Sequence, residues 1–352
     1  MSDNPVDMRG GSPIDATELL ARAAAAELCV QRGLQRTVDD FFLPEDARLD
    51  ERTRSALSEL LRGLIDAVER QIRRHGGDLA PDPVFARLMR SGLLRDPELM
   101  AELVGRVRQE LLGHELPAHA PDDPERPSLI NRFVDHPDRV VAASAMALLI
   151  AESRRRTSPE AGQFIQTDLP AELHHRLVWW VAAALREESG DPTAALDYAL
   201  SEAAMRSLAA YDEGDRLETS AMRFALAVNP QRGELSDLLV EALGDRRIVL
   251  FIALLGHALG VDYAIAREMV LDTGGERLWL ALRALEMPRA AVAQVGYALC
   301  EADPRRDLES FAELLDAIAS IEPIQARAAL TPLRLHPDYR AALLALRRGD
   351  VK

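Results

Sequence analysis

Apolar residues recur along this chain at the spacing of a helical stripe, and form no run of strict alternation with hairpin turns. Residues 50–74 are the clearest case. Leu57, Leu60, Leu61, Leu64, Ile65, Val68 and Ile72 fall on one face of a helix. Residues 97–112 repeat the pattern with Leu99, Met100, Leu103, Val104, Val107, Leu111 and Leu112. Such a stripe must be covered by another helix, because little of a helix's stability is intrinsic. Composition agrees. Ala, Leu, Arg and Glu are abundant and favour helix, and only 5% of the chain is aromatic. The expected fold class is all-α.

Helix starts and stops are marked. Asp82-Pro83, Asp96-Pro97 and Asp191-Pro192 each set an acceptor before a proline at the first helical position. His136-Pro137 and His336-Pro337 place the proline in the same way. Gly33, Gly76, Gly92, Gly113, Gly190, Gly214, Gly244, Gly260 and Gly274 fall where helices should stop. The alternation implies about eighteen helices. Residues 115–128 hold Pro117, Pro121, Pro124 and Pro127 among acids, which excludes regular helix and marks a linker or long surface loop.

The expected organisation follows. Residues 1–13 are a disordered N-terminus, 14–114 an N-terminal helical bundle, and 115–128 the linker. Residues 129–350 form a HEAT-like α-solenoid of stacked helix pairs. Two weak repeats support the solenoid. Ala258-Leu259-Gly260-Val261-Asp262 is echoed at 284–288, and His136-Pro137-Asp138 at His336-Pro337-Asp338.

Charge and rare residues exclude some functions. The only lysine is Lys352, so Schiff-base, phosphate-loop and protein-kinase chemistry has no internal lysine to use. A net charge of -15 argues against a nucleic-acid partner and against an anionic membrane surface. Cys29 and Cys300 are the only cysteines and make no disulfide framework. The first residues show no basic region followed by an apolar one. The apolar runs 140–151 and 248–259 are too short to span a bilayer and suit core helices. A cytoplasmic protein is expected.

One stretch carries a resemblance. It is the run Leu169, Pro170, Ala171, Glu172, Leu173, His174, His175, Arg176, Leu177, Val178, Trp179 and Trp180. Asp245-Arg246-Arg247 before a strongly apolar helix and the amphipathic segment 49–74 fit as well. Together they resemble an uncharacterised bacterial domain-of-unknown-function family, seen mainly in alphaproteobacteria, over most of residues 45–350. The resemblance implies an all-helical fold with HEAT-like pairs and a bacterial cytoplasmic setting. It implies no activity and no functional residues, because these motifs are packing patterns.

No constellation carries recognisable chemistry. The eight histidines include no helical His-x-x-x-His pair, and His174 and His175 point about 100° apart on a helix. Asp39-Asp40 and Asp122-Asp123 lack a third acid on the same face. Arg70 and His75 are spaced as chance allows, and Cys29 and Cys300 read as inert core thiols. No Gly-x-Ser-x-Gly or Gly-x-Gly-x-x-Gly occurs. The arginine runs 154–156, 246–247, 305–306 and 347–348 lie at helix ends. Hence no catalytic, cofactor-binding or metal residue is assigned.

Trp179 is the exception worth singling out. Trp180 shares the apolar stripe of Leu173, Leu177, Val181 and Ala184, whereas Trp179 projects with Glu172, His175, Ala183 and Arg186. Trp and Arg anchor interfaces, so Trp179, His175 and Arg186 are the candidate partner-binding residues. The expected function is a protein-binding scaffold or adaptor without a cofactor. The rivals are an enzyme whose site assembles only in three dimensions and a nucleic-acid-binding helical array. A cleft with hydrogen-bonded titratable groups would favour the first, and a stripe of unpaired arginines the second.

Overall fold

The computed structural model describes residues 22, 49–76, 84–117, 127–160, 167–188 and 193–349. Among these residues the chain forms sixteen α-helices and three 3-10 turns, and no strand. The first seven helices are α1 (Glu51–Gly76), α2 (Val84–Ser91), α3 (Pro97–Glu115), α4 (Leu129–Val134), α5 (Arg139–Glu160), α6 (Ala171–Glu188) and α7 (Ala194–Ala209). Then follow α8 (Leu217–Val228), α9 (Arg232–Gly244), α10 (Ile248–Leu259), α11 (Tyr263–Leu271) and α12 (Glu276–Ala284). The last are α13 (Arg289–Ala302), α14 (Leu308–Ser320), α15 (Pro323–Leu330) and α16 (Pro337–Gly349).

Local chemistry sets the helix ends. Asp96 Oδ1 accepts the Leu99 amide at 2.8 Å and opens α3. The two His-Pro-Asp motifs do one job twice. His136 Nδ1 accepts the Asp138 amide at 3.1 Å before α5, and His336 Nδ1 accepts that of Asp338 at 3.3 Å before α16. Helix α7 starts at Ala194 behind Thr193, whose hydroxyl accepts the Leu196 amide at 3.2 Å. Asp82-Pro83, Asp191-Pro192, Gly33 and Gly190 lie outside the described residues, as do Cys29, Asp39-Asp40 and Asp122-Asp123.

Three glycines differ from their expected roles. Gly214 does not end a helix, since α7 ends at Ala209 and Gly214 lies in a separate 3-10 turn, Glu213–Asp215. Gly113 sits inside α3 and does not end it. A Cβ there would lie 2.7 Å from Ile248 Cγ2, so the glycine admits the first turn of α10. Gly275 rather than Gly274 takes the left-handed conformation before α12, at φ 75°.

The helices bury their stripes in two hydrophobic cores that interleave along the chain. The first core joins α1, α2 and most of α3 to α6 and α7. The second joins the end of α3 to α4, α5 and α8–α15. Helix α3 belongs to both: Leu99, Leu103 and Val107 face the first core, and Leu112 faces the second. It also packs against α10, α11 and α13. Helix α10 is buried along most of its length and bends from α11 by 116° at Gly260. Among the described residues no single helix is long and apolar enough to cross a membrane.

Candidate functional site

The expected surface on α6 comes together only in part. Trp179 Nε1 donates to His175 Nε2 at 3.2 Å, one turn back on the same helix. His175 is exposed, whereas Trp179 is half-buried against the first core, as is Trp180. Arg186 belongs elsewhere: its Nε donates to Asp197 Oδ1 at 2.6 Å, tying α6 to α7. The arginine of the stripe is therefore a helix clamp.

Both resembling motifs act as joints. Arg176 bonds Asp96 at 2.9 Å and also reaches Glu98, fixing α6 to the start of α3. Asp245 Oδ2 accepts the Leu129 amide at 2.6 Å and caps α4, while Arg247 pairs with Glu152 of α5.

Between the two cores lies a charge lattice that the sequence reading missed. Glu102, Arg106 and Gln109 form a buried polar stripe on α3. Arg267 Nη2 donates to Glu102 Oε2 at 2.6 Å, and Arg216 Nη2 to Glu102 Oε1 at 3.2 Å. Arg155 Nη2 donates to Glu218 Oε1 at 2.8 Å and Arg155 Nε to Asp168 Oδ2 at 2.8 Å. Arg106 donates to Glu110 at 3.1 Å, and the Tyr263 hydroxyl to Gln109 Oε1 at 2.8 Å. Arg106, Arg155, Arg216 and Arg267 thus balance Glu102, Glu110, Asp168 and Glu218.

Burial alone would raise the Glu218 carboxyl. Arg155, Arg216 and Arg106 outweigh it and hold the group well below its usual range. Burial would likewise lower Arg155, yet Glu218, Asp168 and Glu110 keep it charged. Among the described residues these groups pair chiefly with one another, so the lattice joins helices. Beside it, His174 Nδ1 meets Thr167 Oγ1 at 2.8 Å and its ring stacks on Tyr211 at 4.0 Å. Burial, with His175 adjacent, pushes this imidazole down to about 4.

An open cleft of about 380 Å³ lies against the second core. This is the lower part of the size range of small-ligand pockets. Helices α8, α10 and α12 end at it, through Asn229, Leu259 and Leu285, and α9 begins at it with Arg232. Leu235, Leu259, Val261, Met269, Leu330 and Leu333 form its floor, but each is nearly buried, so the exposed lining is polar and apolar in about equal measure. Nitrogen donors rim it. His257 Nε2 faces Asn229 Oδ1 at 3.1 Å, and burial lowers that imidazole. Arg334 Nε donates to Leu259 O at 2.9 Å, and Arg327 Nε to Ala284 O at 2.9 Å. These arginines cap helix C-termini, where cations are favoured. Glu286 takes Arg232 at 2.7 Å and also Arg327.

The rim residues come from three helices, α9, α10 and α15, from a 3-10 turn and from Asn229 just past the end of α8. No spacing in the sequence links them, which is why the cleft was not legible there. Among the described residues no group of three or more His, Cys, Asp or Glu is placed to hold a metal ion.

Residues 160–334 match the model of a family described as "Uncharacterised protein conserved in bacteria (DUF2336)". The match takes in both joints, 169–180 and 245–247, and every residue lining the cleft, and leaves 49–74 outside it. No curated protein and no solved structure matches the chain.

Proposed function

The chain belongs to this family of uncharacterised bacterial proteins, and we propose that it works by binding a segment of another protein in the cleft, without catalysing a reaction. The observation that carries this reading is the cleft's make-up: an apolar floor under a rim of nitrogen donors. Arginine stays protonated and so cannot pass protons. His257 pairs with an amide and, among the described residues, has no carboxylate bonded to it to orient it as a base. In this reading α8–α15 form HEAT-like pairs, with α10 against α11 and α13 against α14 as the packed neighbours that support it. A cytoplasmic setting is part of the same reading and suits the buried free thiol of Cys300.

The arginine runs favour a protein over a nucleic acid as partner. Arg154 pairs with Asp215, Arg155 with Asp168 and Glu218, Arg247 with Glu152, and Arg305 and Arg306 with Asp303. Such pairing reduces the unopposed positive charge that phosphate binding needs at these five arginines.

A photo-crosslinking side chain at position 333, in the native bacterium, tests the proposal. The expected result is one reproducible protein adduct that Leu235→Arg abolishes. The same adducts from a crosslinker at the remote, exposed position 198 would refute it.

A further inference from the structure

We infer that the cleft takes an acidic peptide segment, with one carboxylate side chain lying on Arg334 and a neighbouring aliphatic side chain on the apolar floor; this rests on the cleft being a protein-binding site. The argument starts from how each rim cation is used. Arg232 and Arg327 share Glu286. Arg334 has only a neutral acceptor, the Leu259 carbonyl, and no carboxylate within 4 Å among the described residues. That single bond through Nε fixes the guanidinium plane and leaves both Nη groups uncommitted. Two parallel N–H groups match the two oxygens of a carboxylate.

Magnitudes select one carboxylate over a polyanion. Three arginines face one glutamate, three helix C-termini and one N-terminus. At about half a charge per helix end, the rim keeps roughly one net positive charge. One carboxylate neutralises that, whereas a phosphate dianion, or a nucleic-acid strand that brings several phosphates to the rim, overshoots it. The chain as a whole carries -15, so this rim is a local exception to a field that repels anions. The floor adds the second requirement. Leu235, Met269, Leu330 and Leu333 are nearly buried in the core, so only their edges remain for an aliphatic side chain to cover, a modest gain that a bare acid does not share. Acid beside leucine in one short segment satisfies both.

The full chain with 13C-methyl-labelled methionine tests this, because Met269 lines the cleft and reports its occupancy. The probes are the capped peptides Leu-Glu-Leu-Leu and Leu-Gln-Leu-Leu, decanoate, and a short single-stranded RNA. The acidic peptide is expected to move the Met269 resonance with a Kd ~5-fold below that of its glutamine twin, the advantage of one charge-assisted bond at a partly wet rim. Arg334→Gln should erase that advantage and leave the glutamine peptide's Kd unchanged. Arg334→Lys keeps charge but loses the fork, and should retain only part of it. The other methionine signals report whether each variant is folded. Equal binding of the two peptides, an advantage that survives Arg334→Gln, or tighter binding of decanoate or RNA overturns the inference alone. Failure of every probe to move Met269 overturns the reading of the cleft, and the inference with it.

Discussion

Arg155, late in α5, and Glu218, in the first turn of α8, pair at 2.8 Å with both side chains largely buried. The pair sits where the chain passes between its two cores, and Asp168 takes the same guanidinium. A buried pair of this kind adds little net stability over an apolar replacement, because desolvation offsets the attraction. Removing one partner is a different matter. Glu218→Gln leaves Arg155 and Arg216 under-compensated, and should cost ~3 kcal/mol. Urea denaturation at pH 7 measures it. The paired replacement Arg155→Met with Glu218→Leu should cost less than Glu218→Gln alone, and a larger loss in the double variant would contradict this account.

Acid should unfold the protein in two stages, both with the same sign. His174 has a native pKa near 4 against an ordinary 6.5, so the folded state holds it neutral. Its contribution is complete above pH 6.5 and lost as the pH falls towards 4. At 1.36 kcal/mol per unit this is at most about 3 kcal/mol. Glu218 is also lowered, so its contribution holds above the ordinary 4.5 and is lost below it. His174→Gln should flatten the stability profile between pH 6.5 and 4 and leave the lower stage in place. Unchanged slopes in the upper window would count against the assignment.

Gly296 on α13 should not tolerate a methyl group. A Cβ there would fall 1.9 Å from Phe311 Cζ of α14, so the ring lies directly on the glycine. Gly296→Ala should destabilise by about 1–3 kcal/mol through overpacking. Thermal unfolding should show partial recovery in the double variant with Phe311→Leu. Absence of recovery would mean that the ring is not the obstacle.

Trp179 and Arg186 should respond differently, although the sequence places them on one stripe. Trp179→Ala removes a half-buried indole from the first core and should cost ~1–3 kcal/mol. Arg186→Ala breaks an exposed pair with Asp197 and should leave the unfolding midpoint close to that of the wild type. Equal midpoints for the two variants would show that Trp179 is free of the core and available to a partner.

Much of the fold was legible because it is written in local chemistry. The stripe from Leu57 to Ile72 is buried as spaced, and Asp96 caps the helix that its proline announces. His136 and His336 recur because a helix start recurs. The charge lattice was not legible, since Glu102 and Arg106 look like any solvated pair until α11 brings Arg267 to them. The one available hint is that α3 carries apolar residues on both flanks of Glu102 and Arg106, which leaves them little solvent to face. For the cleft there was no hint. Arg232, His257, Arg327 and Arg334 become neighbours only through the stacking of helices far apart in sequence.

The interleaving of the two cores constrains how this chain can be made and cut. Helices α1 to α3 wait for α6 and α7, so the first core cannot close on the ribosome until about residue 209 has emerged. Helices α4 and α5, synthesised in between, wait longer still. The segment shared with the family, 160–334, opens with α6 and α7 but lacks the helices that cover them. Expressed alone, it would present Leu173, Leu177, Val181 and Leu185 to water and should aggregate. The stretch that matches the family and the unit that folds are different lengths of the same polypeptide.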